Sequence, residues 1–159
     1  MPYYAVGGLQ STTSTAYKGT VAVWTVTTGI RRTKWYEVII GATAVPNAAD
    51  CAIQVDISRL LSTTSLAGTA ATMSPLDTAD GAAIATGLVN ITTEPNAALI
   101  GNSVMNFGLN QRNTTRWIAA QESQYLVGPA TNLNGFYMRE QTPAGAYVGS
   151  LATQISFME

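Results

Sequence analysis

Residues 51–61, CAIQVDISRLL, alternate apolar and polar side chains with a period of two. Cys51, Ile53, Val55 and Ile57 fall on one face, and Gln54, Asp56 and Ser58 fall on the other. Successive side chains of an extended chain point to opposite faces, so this spacing predicts a half-buried strand. In KWYEVIIG, residues 34–41, the same period puts Tyr36, Val38 and Ile40 on one side and Trp35, Glu37 and Ile39 on the other. That strand is apolar on both sides, which predicts a second surface covering it. Near the C-terminus Tyr147, Leu151, Thr153, Ile155 and Phe157 alternate with Ala152, Gln154 and Ser156. GTVAVWTVT around Trp24 is rich in β-branched residues, as strands are.

Turn clusters such as TAVPNAAD, TTEPN, LNQRN, GPATNLNG and QTPAG separate these runs. No strand–helix–strand rhythm appears, which argues against a doubly wound sheet. The expected fold is all-β: a jelly-roll-like β-sandwich of about eight strands, a single domain over residues 19–159. Residues 1–18 are less patterned and rich in Ser, Thr and Gly. They read as an extended N-terminal arm, with a frayed terminus as the alternative.

One stretch departs from the strand pattern, SPLDTADGAAIATG at residues 74–87. Ser74 as N-cap, Pro75 at the first helical position and Asp77 three residues after the cap predict a short helix near residues 75–86. Leu76, Ala79 and Ala83 would form its apolar stripe and Gly87 its stop. A calcium loop fails on spacing, because the second acid comes three residues after the first. A phosphate cradle fails on charge, because Asp77 and Asp80 would repel the anion.

Charged residues make up 11% of the 159 residues, apolar ones 47%, and the net charge is −1. A low-charge, polar surface suits packing against other protein. Nucleic-acid binding wants a basic stripe, which is missing, and no apolar run approaches the ~20 residues of a membrane span. The start of the chain lacks the basic and apolar regions of a signal peptide. There is no histidine, which removes Ser-His-Asp and Cys-His catalysis and most zinc and iron sites. Cys51 is the single cysteine and reads as a buried small hydrophobe.

No catalytic residue, metal ligand or cofactor site is therefore expected, and the chain is not read as an enzyme. Glu37 and Asp56 fall on outward faces of strands, where a surface position or cross-strand pairing is the ordinary role. Arg112 and Arg116 have Glu122 or an aromatic ring as candidate partners. Trp24, Trp35 and Trp117 lie within predicted strands, where core packing competes with a sugar-stacking surface. The residues singled out as partner contacts are Tyr3, Tyr4 and Tyr17 of the arm and the basic cluster Arg31, Arg32 and Lys34. Tyrosine and arginine are enriched at energetic centres of interfaces.

The order of segments KWYEVIIG, DCAIQVDISRL, GTAATMSPLDTADGAAIATGLVNITTEP, NQRNTTRWIAA and VGPATNLNGFYMR resembles that of tailed-phage head decoration, or cement, proteins. The resemblance spans roughly residues 20–158 and carries no catalytic signature. It implies a structural virion protein on the outer surface of the capsid. Its partners would be the major capsid protein and itself, as a homo-oligomer of the trimer kind, with neither nucleic acid nor membrane. A tail or fibre component with a carbohydrate-binding β-sandwich is the alternative.

Overall fold

A computed structural model describes residues 1–11, 16–29, 31–43, 45–46, 48–142 and 149–159. Among the described residues there are twelve strands: β1 (Tyr3–Ser11), β2 (Lys18–Trp24), β3 (Lys34–Ala42), β4 (Ala52–Leu60), β5 (Ala67–Ala70), β6 (Ser74–Pro75), β7 (Thr86–Thr93), β8 (Ile100–Asn110), β9 (Thr114–Ile118), β10 (Leu126–Val127), β11 (Gly135–Gln141) and β12 (Ser150–Met158). Eight of them, β1, β2, β3, β4, β7, β8, β11 and β12, run for seven residues or more. The fold is an all-β sandwich of two antiparallel sheets. Sheet A has the order β10-β3-β12-β1-β6, with β9 also paired to β3, and sheet B has the order β5-β7-β2-β11-β4-β8.

The main core lies between the sheets. Sheet A contributes Tyr4, Val6, Trp35, Val38, Ile40, Leu151, Ile155 and Phe157. Sheet B answers with Val21, Val23, Ile53, Val55, Ile57, Phe136 and Met138. The alternation expected for β4 is found, with Cys51 buried at its start as a free thiol packed in this core. Leu151, Thr153, Ile155 and Phe157 of β12 are likewise buried and Gln154 is exposed. Tyr147 and part of the QTPAG turn lie outside the described residues. A second, smaller cluster of Ala22, Trp24, Leu60, Ile91 and Tyr137, with Leu66 and Ile100 against it, packs apart from the main core.

Three expectations are corrected. Residues 3–11 are not a projecting arm: they form β1, paired along nine residues with β12 and flanked on the other side by β6. Tyr4 and Val6 of this strand are buried in the core, so the domain begins at β1 rather than at residue 19.

Residues 75–86 are not a helix. Ser74 and Pro75 pair with Ala5 and Tyr4 as β6, an edge position where a missing proline N–H is tolerated. The Asp77 carboxylate then takes the Ala79 N–H at 2.9 Å, a local turn that competes with helix formation. Trp35 does not oppose Val38 and Ile40 but joins them inside. Glu37 pairs with Ser156 and Trp35 with Phe157, so Tyr36 is an extra residue in β3, a bulge that reverses the alternation.

Candidate interaction face

The bulge at Tyr36 turns its ring toward the outer side of sheet A. There it meets Tyr3 of β1 edge-on, with centroids 5.7 Å apart and an interplanar angle of 83°. It also meets Tyr125, just before β10, at 6.1 Å and 51°. Three tyrosines distant in sequence thus form one aromatic cluster, and Tyr3 remains 45% exposed. Burial raises the Tyr36 phenol above its ordinary pKa, so it stays protonated as a hydrogen-bonding group. Ile118 of β9 is half exposed on this sheet beside Glu37, its register partner in β3.

A polar clamp adjoins the rings. Arg116 Nε donates to Glu37 Oε1 at 2.7 Å, and the Ser156 hydroxyl donates to Glu37 Oε2 at 2.8 Å. Burial pushes the Glu37 carboxyl up, but the Ser156 hydroxyl and the Arg116 guanidinium outweigh it and hold the group below its usual range. A carboxylate held in this way stays ionised, which suits a fixed contact group rather than a general acid. The cross-strand role expected for Glu37 is found. Arg116 pairs with Glu37 and Arg112 with Asp50 at 2.9 Å, rather than with Glu122.

The residues expected as contacts divide. Tyr3 and Lys34 lie in one row across sheet A, each paired with Met158, so the sheet brings them together. Arg31 and Arg32 are exposed in the segment before β3, where Arg32 Nε donates to the Gly128 carbonyl at 2.9 Å. Tyr4 is buried at 2% exposure and cannot be a contact. Tyr17 stands apart, beside sheet B, where the Arg139 guanidinium lies 4.2 Å from its ring centroid. Tyr36 and Tyr125 were missed, and only the excess of aromatic residues in KWYEV pointed to the first. All three tryptophans are packed rather than open: Trp35 in the main core, Trp117 against it, and Trp24 in the second cluster on the other side of sheet B.

Around Tyr17 sheet B carries a polar network. Arg139 Nε donates to Asp56 Oδ2 at 2.8 Å, and Ser58 donates to the same carboxylate at 2.6 Å. The Tyr137 hydroxyl donates to Glu94, whose other oxygen accepts the Gly19 N–H at 2.9 Å. Glu140 is fully buried, and among the described residues neither of its carboxyl oxygens has a hydrogen-bond partner. Burial and the nearby Glu94, only partly offset by Lys18, push its pKa up to about 8, so it is held as the neutral acid at neutral pH. Among the described residues no group of three or more His, Cys, Asp or Glu side chains converges to hold a metal ion. No protein-family model, curated protein or solved structure matches this chain.

Proposed function

We propose that the chain is a structural virion protein, a decoration protein that binds the outside of a tailed-phage head and bridges neighbouring coat subunits as a homo-oligomer. The observation that carries the reading is the Tyr3, Tyr36 and Tyr125 cluster on the outer face of sheet A, bordered by Lys34 and by the Arg116–Glu37–Ser156 clamp. Rigid aromatic rings set among fixed polar groups are what an adhesive protein surface needs, since they lose little conformational freedom on docking. The low overall charge favours shape-matched contacts repeated in many copies, each modest and multiplied by effective concentration. The resemblance of the segment order to that of head decoration proteins supports the same reading.

The carbohydrate alternative draws less support. A sugar stacks on an open aromatic face, whereas Tyr36 and Tyr125 are only partly exposed and the three tryptophans are packed. The test is co-sedimentation of the purified protein with phage heads stripped of it. Wild type is expected to pellet saturably with the heads, and the double variant Tyr36→Ser, Tyr125→Ser to bind roughly tenfold more weakly or worse. Undiminished binding by a folded double variant would reject this face. Absence of binding by the wild type would reject the decoration role.

A further inference from the structure

Four edges bound the two sheets, and three of them are blunt. β5 has four residues, β6 has two and contains Pro75, and the β9–β10 side has strands of five and two. The fourth edge, β8, runs for eleven residues and pairs only with β4 among the described strands. Sheet edges are normally guarded with charge, proline or brevity, because an open edge templates pairing with another chain. β8 uses none of these: no charged residue occurs between Glu94 and Arg112, and its one guard is an irregular register with β4 before Met105. From Met105 to Asn110 the pairing is regular.

The outward groups can be identified. Gln111 N–H donates to the Cys51 carbonyl at 3.1 Å. Antiparallel alternation then bonds Leu109, Phe107 and Met105 toward β4 and turns the N–H and C=O of Asn106 and Gly108 to the open side. Met105 and Phe107 pack against the core but remain only partly buried, so the flank of the edge is apolar. Asn106 and Gly108 are exposed.

We infer that β8 is a self-association edge, and that a second copy of this chain pairs with it antiparallel about a twofold axis. Asn106 of each copy bonds Gly108 of the other, and the two Phe107 residues meet at the central non-hydrogen-bonded pair, where side chains approach most closely. A second copy is the occupant because the segment is complementary to itself. Over residues 105–109 it has two outward hydrogen-bonding residues symmetric about an aromatic one, and it brings no like charges together; Asn110, the next outward residue, spends its carbonyl on the Asn113 N–H at 2.9 Å. The contact is independent of the face assigned to coat binding and of any threefold association.

Sedimentation velocity of the purified full chain, from micromolar to tenths of millimolar, tests it. Wild type is expected to show a concentration-dependent dimer. Asn106→Lys with Gly108→Lys places like charges directly opposite and should weaken dimerisation roughly tenfold or more. A side chain at 108 has room, since an added Cβ would meet only the Ile53 carbonyl oxygen at 3.9 Å. Asn106→Glu with Gly108→Lys places opposite charges across the same pairs and should retain the dimer. At concentrations low enough for all of them to be monomeric, the three proteins should melt together. A wild type that stays monomeric would overturn the inference, and so would an oligomer that neither double variant alters or that both disrupt equally.

Discussion

The Tyr4 hydroxyl donates to the Gly81 carbonyl at 3.1 Å, joining residues 77 positions apart. Tyr4 thereby serves both the core and the loop between β6 and β7. Its ring stacks on Phe157 at 5.6 Å while its hydroxyl holds the loop. The other end of that loop is held by Glu159, whose carboxylate accepts the N–H groups of Ile84 at 2.6 Å and Ala85 at 2.8 Å. Tyr4→Phe keeps the ring and removes the hydrogen bond, so unfolding free energy should fall by about 1 kcal/mol. Tyr4→Ala, which also leaves a cavity, should lose about 3–5 kcal/mol. Urea titration of both variants checks the difference.

Removing residues 1–11 should abolish cooperative unfolding. β1 is an inner strand of sheet A, and its loss would expose β12 and take Tyr4 and Val6 from the core. Near-ultraviolet circular dichroism and thermal melts of the truncated protein read this directly. A truncated protein with the native melting curve would show that β1 is dispensable.

Asp56 is 2% exposed and holds Arg139 and Ser58 together. Asp56→Ala would leave the Arg139 guanidinium, itself largely buried, without its carboxylate. A loss of about 3 kcal/mol is expected, because one charge of a buried pair is stranded. The double variant Asp56→Ala, Arg139→Met should recover part of it. Denaturant titrations of the two single variants and the double variant measure the coupling.

Glu140 should make stability fall as pH rises. Its folded pKa, about 8, lies above the ordinary value of 4.5. The folded state therefore holds a proton that the unfolded chain releases. Its contribution is complete below about pH 4.5 and is lost as pH climbs to about 8, an effect on the order of a few kcal/mol. Glu37, with its lowered pKa, acts in the opposite sense at acid pH. Glu140→Gln should flatten the decline above pH 5 and raise the melting temperature at pH 8. Melting curves from pH 4 to pH 9 are the check, and a variant with the slope of the wild type would refute the assignment.

The strands that follow a strict period were legible in the sequence, and those that break it were not. β4 was legible because Cys51, Ile53, Val55 and Ile57 are all large enough to mark their face. β1 was hidden because Gly8 occupies an inward position after Tyr4 and Val6. A Cβ there would come within 2.8 Å of Val89, so close packing between the sheets replaces an apolar marker with a glycine. The bulge at Tyr36 depends on the register with β12, more than a hundred residues away, and no local pattern announces it. The 74–87 stretch satisfied helix rules locally, but pairing with β1 and the Glu159 carboxylate took its backbone groups instead. The tyrosine cluster joins residues 3, 36 and 125, which only the folded sheet brings together.

The most direct test of the proposed role is the copy number of this chain in purified particles of the phage that the role would assign it to, by quantitative mass spectrometry. A decoration protein should be present at a number comparable to the coat protein. A handful of copies would place it in the tail or at a vertex and contradict head decoration, and absence from the particle would contradict a virion role altogether.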